Sequence, residues 1–557
     1  MSKKRKKIHI MKIALAQLNY HIGNFEGNLQ KMLDAVESAR SQGADLVCFG
    51  ELAVCGYPPR DFLEFDDFIR RCYASVEALQ KVSHGIGIVV GSPTRNPVAA
   101  GKDLYNSAYF LYDGQVLGVQ HKTLLPTYDI FDEYRYFEPA TAFGSISFKG
   151  KKIALSVCED IWNVGNDNPL YTICPLDEIM HEQPDFILNL SASPFDYAHA
   201  TARIEAVRAN VQRYNIPMFY VNHVGAQTDI IFDGGSIVMS SANGGEVFDE
   251  MPYFEEAFKV YDLAEVQRGG QRHEQPQDKT RLIHDALVLG IRDYFQKLGF
   301  KRAILGLSGG IDSAVTAVLS AKALGPQNVR VLLLPSQFSS EHSVNDARQL
   351  AQNLGIQYDL LPVSPIYDAF ETALKPLFWA QPFNITEENI QARIRGTLLM
   401  AMSNKYGQIL LNTTNKSEMS VGYGTLYGDM CGGISVLGDV YKTEVYELAN
   451  YLNKDGIVIP LNSIEKPPSA ELRPGQKDSD SLPPYEVLDP LLYQYIECRK
   501  GPSELIDMGF DEALVKRVLR MVNINEFKRE QAAPVLRIST KGFGMGRRMP
   551  IVGKYLS

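Results

Sequence analysis

From Ala303 to Leu324 the chain reads AILGLSGGIDSAVTAVLSAKAL. Ala303, Ile304 and Leu305 form a short apolar run of strand type, and Ser308, Gly309 and Gly310 interrupt it. Val315, Val318, Leu319 and Lys322 then recur at the spacing of one helix face. A strand that enters a glycine loop and leaves as a helix builds an anion site. The free N–H groups of the first helical turn point at the ligand, and the helix dipole adds positive potential. The glycines let the backbone approach closely, and the hydroxyls of Ser308 and Ser313 supply further donors. No Gly-Lys-Ser/Thr follows, so this is not a Walker A loop. Without a lysine aimed at a γ-phosphate, the design suits a pyrophosphate that stays behind while the α-phosphorus reacts.

Around this stretch, strand candidates at 303–307, 329–334, 358–363 and 409–412 alternate with helices, including one over 280–298. That is the signature of a doubly wound, Rossmann-like parallel sheet with its ligands at the carboxyl ends of the strands. The Ser308 loop occupies one such end, and Leu411-Asn-Thr-Thr-Asn-Lys-Ser-Glu418 occupies another. There Thr413 can bond a nucleotide, Lys416 can neutralise phosphate, and Glu418 can ligate Mg²⁺ or a polar substrate group. The string Gly306-Leu-Ser-Gly-Gly-Ile-Asp-Ser313 resembles the pyrophosphate loop of the ATP-pyrophosphatase superfamily. Its members activate a carboxylate or carbonyl oxygen as an adenylate, and they include NAD, GMP and asparagine synthetases.

With 557 residues the chain is too long for one core. A formal net charge of −9 argues against general nucleic-acid binding. Seven cysteines without CxxC spacing fit a reducing, cytoplasmic setting rather than a disulfide framework or a zinc site. No apolar run reaches the roughly 18 residues of a membrane span. The opening Met-Ser-Lys-Lys-Arg-Lys-Lys reads as a solvated basic tail, since no signal-peptide apolar core follows it.

The first half is also layered α/β. Strands are expected at 13–18, 45–49, 87–91, 108–112, 153–157, 186–190, 218–222 and 237–240, with an amphipathic helix over 24–41. Reactive side chains in such folds sit at strand ends. Glu51 follows Leu46-Val-Cys-Phe-Gly and is placed to act as a general base. Lys122 lies in His121-Lys-Thr-Leu-Leu-Pro126, and Cys158 directly follows an apolar strand and precedes Glu159 and Asp160. A nearby ammonium would favour the Cys158 thiolate and later the tetrahedral oxyanion, while a glutamate would take the thiol proton and return it to departing ammonia.

Together Phe49-Gly-Glu-Leu52, His121 to Pro126 and Val157-Cys-Glu-Asp-Ile-Trp162 resemble the Glu-Lys-Cys triad of the nitrilase superfamily. With Pro126 to Phe137 and Asn189-Leu-Ser-Ala-Ser-Pro-Phe195, they are similar to the glutaminase domain of the glutamine-dependent NAD⁺ synthetase family. The resemblance implies that Tyr128, Ser193 and His199 line a glutamine pocket, although His199 departs from the basic residue expected there. It makes Glu133 the second carboxylate of the nitrilase site, positioning substrate or water.

In the second half, Asn389 to Gly396, Asn415-Lys-Ser-Glu418, Gly422-Tyr-Gly-Thr425, Leu437 to Thr443, Pro467 to Leu472, Phe527 to Pro534 and Gly544 to Pro550 resemble the same family. ATP contacts are then implied for Gly306, Leu307, Ser308, Gly309, Gly310, Ile311, Asp312, Ser313 and Thr413. Deamido-NAD⁺ contacts are implied for Asn389, Glu418 and Lys528, with Mg²⁺ on Asp312 and Glu418. The segment 465–484, rich in Pro, Ser, Asp and Lys, is expected as a lid over the adenylate.

The implied architecture is a basic extension at 1–10, a nitrilase-like α-β-β-α glutaminase domain at 11–265, a linker at 266–280 and a synthetase domain at 281–557. The implied reaction is ATP-dependent amidation of deamido-NAD⁺ with ammonia drawn from L-glutamine and passed between the domains, by a chain paired at least as a homodimer. Two alternatives remain at this point: an amidotransferase that adenylates another carboxylate, and a nucleotide-binding scaffold without catalysis.

Overall fold

The structure, a computed structural model, describes residues 10–555 apart from 169, 271, 272, 274, 276, 277 and 380. The basic run at 1–7 and five residues of the expected linker lie outside the described residues. The chain forms two compact units; the second begins at Asp278 and also takes in Thr228–Ile230, and the first is the remainder.

The first unit holds two six-stranded sheets. One runs in the order Ala257–Asp262, Lys12–Gln17, Leu46–Cys48, Gly87–Arg95, Leu104–Tyr112, Gln115–His121. The other runs Glu246–Glu250, Ile237–Ser240, Met218–Val221, Phe186–Leu190, Lys151–Val157, Ser145–Phe148. Each has a parallel trio at its centre and antiparallel strands at its flanks. Alternation along the strands decides the layering, since successive side chains face opposite sides. Ile13, Leu15, Cys48, Val89 and Phe110 meet Ile153, Leu155, Leu188, Phe219 and Val221 between the sheets. Intervening residues such as Ala154, Ile187 and Met218 instead face Leu176, Ile179, Val207 and Val211 of the helices Pro175–Met180 and His199–Tyr214. The helices Phe25–Ser41 and Asp66–Lys81 cover the other sheet. The result is the expected α-β-β-α sandwich. Burying each large apolar side chain contributes roughly 1.5–3 kcal/mol.

In the second unit five parallel strands run in the order Gln357–Leu360, Val329–Leu333, Ala303–Gly306, Ile409–Asn412, Ile434–Ser435. The helix Lys279–Leu298 starts where Asp278 accepts the Arg281 N–H and stops at the left-handed Gly299. From Ala303–Gly306 the chain winds outward through two strands on one side, then returns to build the other. The strand order therefore reverses beside Ala303–Gly306 and Ile409–Asn412, and ligands of such sheets bind at this switch point.

The antiparallel strands Gln115–His121, Ser145–Phe148, Glu246–Glu250 and Ala257–Asp262, and the short Ile434–Ser435, are additions to the strands expected from sequence. Residues 266–268 of the expected linker close the helix Leu263–Arg268, and 279–280 open the next helix.

Candidate active sites

In the first unit the strand Lys151–Val157 delivers Cys158, whose backbone takes φ +43°, at the start of the short turn Cys158–Ile161. A non-glycine residue in the left-handed region is strained, and here the strain turns Cys158 out of the line of its strand. Asp160 holds this turn: its buried carboxylate accepts N–H groups from Val157 at 3.1 Å, Thr123 at 3.0 Å and Leu124 at 2.9 Å. One side chain thereby ties the cysteine turn to the residues that follow Lys122.

Lys122 is fully buried, and its ammonium donates to Glu51 Oε1 at 2.7 Å and Glu133 Oε1 at 2.8 Å. Burial acts to lower its pKa, but the charges of Glu133 and Glu51 outweigh this and hold it well above the usual lysine range. Glu51 Oε2 accepts the Ala192 N–H at 3.1 Å, and Tyr57 donates to Glu133 at 2.8 Å. Burial pushes Glu133 up to about 7 against the pull of Lys122. The Cys158 thiol is raised by burial and by the charge of Glu51, and Lys122 offsets only part of this. As expected, the Lys122 ammonium favours the thiolate, but burial and Glu51 act against it, which leaves a part for a base in the attack.

The residues expected around glutamine connect to the same cluster. Tyr128 donates to Glu159 Oε1 at 2.9 Å, next in sequence to Cys158, and Tyr171 donates to the same oxygen at 2.7 Å. Ser193 follows Ala192, the donor to Glu51, and its hydroxyl lies 2.8 Å from His199 Nε2. His199 packs against Trp162, with ring centroids 5.3 Å apart. Tyr57, Asn106, Asp160 and Tyr171 were not singled out from sequence; only Asp160 stands within a quoted motif.

In the second unit one cavity is lined by Gly306, Leu307, Ser308, Gly310, Ile311, Asp312 and Ser313, and also by Thr413 and Glu418. Ser308 Oγ receives the Gly310 N–H at 3.2 Å and lies 3.2 Å from Ser313 Oγ, so the loop is preformed. Gly309 is turned away from the cavity at φ +85°, where a Cβ would stand 2.2 Å from the Ser343 carbonyl oxygen. Asp312 accepts from Asn415 Nδ2 at 2.9 Å and from Lys442 Nζ at 2.5 Å. Lys442 is also 3.6 Å from Glu418, whose carboxyl is pushed up to about 8 by burial and by Asp312. Both carboxylates thus face one cation.

That cation is Lys442, not Lys416. The expected phosphate role of Lys416 is corrected: its ammonium is buried and turned inward to Asp439 at 2.9 Å and Glu497 at 2.8 Å, with Ser539 Oγ at 2.7 Å. Replacing Lys416 by Met leaves two buried carboxylates without their cation. The expected loss is ~3–5 kcal/mol, read as a lower urea midpoint for unfolding of the second unit.

Asn389 accepts from Thr425 Oγ1 at 2.8 Å, and Lys528 Nζ donates to the carbonyls of Gly422 at 2.7 Å and Gly424 at 2.9 Å. Both hold the 422–425 loop that follows Glu418, and neither is in the cavity lining, which Glu418 is. Of the segment 465–484, Lys466, Pro467, Glu471, Leu472 and Asp478 line the cavity. Glu471 anchors it by accepting from Ser340 Oγ at 2.9 Å and Ser343 Oγ at 2.8 Å. Among the described residues no group of three or more His, Cys, Asp or Glu is disposed to hold a metal by itself.

A carbon-nitrogen hydrolase sequence model matches residues 12–263, and an NAD synthase model matches residues 283–532. A glutamine-dependent NAD(+) synthetase of Synechocystis sp. is 44% identical over 548 residues, covering 97% of this chain and 98% of that protein. The chain belongs to the glutamine-dependent NAD(+) synthetase family. The Acinetobacter baylyi glutamine-dependent NAD(+) synthetase is 42% identical over 546 residues, 97% of this chain and 98% of that protein. The solved structure of the Acinetobacter baumannii glutamine-dependent NAD(+) synthetase with ADP is 39% identical, with a TM-score of 0.78 over 98% of this chain and 99% of that one. Both halves of a glutamine-dependent NAD(+) synthetase are therefore present in this one chain.

Proposed function

We propose that the chain forms NAD⁺ by ATP-dependent amidation of deamido-NAD⁺, with ammonia released from L-glutamine at Cys158. The observation that carries the first half is the buried Glu51–Lys122–Glu133 cluster, whose charges act on the Cys158 thiol. Glu51 takes the thiol proton as sulfur attacks the glutamine amide, and Lys122 stabilises the tetrahedral oxyanion. Glu51 then gives the proton to the amide nitrogen as its bond to carbon breaks and ammonia departs, and water hydrolyses the thioester to glutamate. Tyr128, Ser193 and His199 hold the amino-acid end, and Glu133 orients the amide or the water. Lys122→Ala removes the oxyanion donor, ~3 kcal/mol of barrier lowering. Glutamate release should fall by about 10²-fold while synthesis from added ammonium persists.

At the second site the deamido-NAD⁺ carboxylate attacks the α-phosphorus of ATP, and the loop from Gly306 to Ser313 holds the pyrophosphate with Thr413 beside the nucleotide. Ammonia then displaces AMP. Glu418 serves the dinucleotide from the cavity lining, and Asn389 and Lys528 serve it through the 422–425 loop that both hold. The carboxylates of Asp312 and Glu418, hard oxygen donors that both face the Lys442 ammonium, would hold Mg²⁺, which would supply neutralisation of phosphate charge there. The segment 465–484 excludes water from the adenylate.

The chain is read as cytoplasmic, in keeping with seven unpaired cysteines. Among the described residues no helix is long and apolar enough to cross a membrane. Pairing with a second copy through the synthetase unit is supported by the exposed Phe370, Leu377, Trp379, Phe383 and Ile385 on and after the helix Ser364–Phe378. The reaction is tested by AMP release against a panel of carboxylic acids, with glutamate and NAD⁺ counted together. Only deamido-NAD⁺ should drive AMP release, with one glutamate per NAD⁺. Turnover of another acid in its place would overturn the assignment.

A further inference from the structure

Asn106, buried in the strand Leu104–Tyr112, contacts the cluster from a side that the proposed mechanism does not use. Its Nδ2 donates to Glu51 Oε1 at 2.7 Å and reaches Glu133 Oε2 at 3.4 Å. Its backbone carbonyl accepts the Lys122 N–H at 2.7 Å. The amide orientation is fixed by charge, since the reverse would turn Oδ1 against two carboxylates. Oδ1 is buried and has no hydrogen-bond partner among the described residues. A leucine of similar volume would leave no such orphan acceptor, so the donor end accounts for an asparagine here.

From this we infer that Asn106 is a positioning residue of the glutaminase centre, which bridges the two buried carboxylates and orients Glu51 as the base beside Cys158. The inference rests on the reading of Glu51 and Cys158 given above. Two carboxylates that share one lysine repel each other, and burial opposes their joint ionisation. Lys122 supplies two N–H donors to the pair, and Asn106 supplies the next without adding a charge. The other groups that face the pair are Tyr57, through its bond to Glu133, the Cys158 thiol, Glu159 and the Ala192 N–H. None of these bridges both carboxylates. Glu133, pushed up to about 7 by burial, titrates near neutrality, so the bridge acts in the working pH range.

The test measures glutamate release by the full-length chain across pH for Asn106→Leu and Asn106→Ser, with ammonium-dependent NAD⁺ formation as the control for folding. In the leucine variant, kcat should fall by roughly 10–100-fold at nearly unchanged KM for glutamine, as a charge-assisted hydrogen bond is lost. The acidic limb of its kcat/KM profile should move up by about one pH unit. Serine keeps a shorter donor that reaches one carboxylate, and its limb should fall between leucine and wild type. An unmoved limb in the leucine variant overturns the inference, whatever its kcat. If that variant is insoluble, a serine variant with the wild-type profile overturns it instead. Cys158→Ala separates this failure from failure of the underlying reading: glutamate release that survives there rejects the glutaminase assignment itself.

Discussion

Cys158→Ala should abolish glutamine-dependent NAD⁺ formation and leave ammonium-dependent formation intact. The thiol is pushed up by burial and by Glu51, so its chemistry draws on proton transfer within a preformed cluster. Alanine removes the nucleophile and leaves Glu51, Lys122 and Glu133 bonded as before, because none of their hydrogen bonds runs through sulfur. A carboxylate in that cluster is no substitute nucleophile while Lys122 holds it. Glutamate release should therefore fall to background, by ~10⁴-fold or more, as expected when a nucleophile acts as a unit with its base. The synthetase residues belong to a separate compact unit with its own sheet. The measurement is NAD⁺ formed from glutamine and from ammonium chloride on the same preparation. Loss of both activities in a folded protein contradicts the division of labour.

How far the sequence disclosed this arrangement depends on where each residue finds its partners. The parallel strands were legible because Ile13 to Leu15, Ile153 to Leu155 and Val331 to Leu333 are compact apolar runs, buried on both faces. The antiparallel strand Gln115–His121 was not, since its first residues are exposed and carry no such run. Glu51, Lys122 and Cys158 stood out through their neighbouring motifs and their positions at strand ends. Asn106 had no such signal: an asparagine within a strand looks like any half-buried polar residue until Glu51, 55 positions away, is folded against it. The two lysines of the second unit make the same point. Lys416 opens the short helix Lys416–Val421 just after the strand Ile409–Asn412, and its local context favours a phosphate. Its direction is set by Asp439, Glu497 and Ser539, far along the chain, and only the folded unit brings these together. Lys442 reaches the cavity from the first turn of the helix Lys442–Leu452, where Asp312 accepts from it across 130 positions.

The mirror of the cysteine experiment lies in the Ser308 loop. Gly309→Ala should lower NAD⁺ formation from glutamine and from ammonium alike by ~10³-fold, while glutamate release continues. At φ +85° an alanine enters the left-handed region, which costs ~1–2 kcal/mol. The larger effect is steric. The new methyl would stand 2.2 Å from the Ser343 carbonyl oxygen and 2.8 Å from its carbon, both backbone atoms that no rotamer change can move aside. Relief must therefore come from the loop or from the start of the helix Glu341–Leu354. On the loop side, Ser463 Oγ holds the Gly309 carbonyl at 2.9 Å, and the Ser308 and Ser313 hydroxyls hold its rim. On the helix side, Ser343 is bonded to Glu471 at 2.8 Å and to Lys466 at 3.0 Å, so displacement would also move the segment that covers the cavity. A shift of ~1 Å in groups that position a reacting phosphate costs about 10²-fold in rate, and the backbone strain supplies roughly another tenfold. ATP-dependent AMP release is the direct readout. Wild-type AMP release from the alanine variant would mean that the phosphate site does not depend on the contact between Gly309 and Ser343, and the loop would then be only a turn between strand and helix.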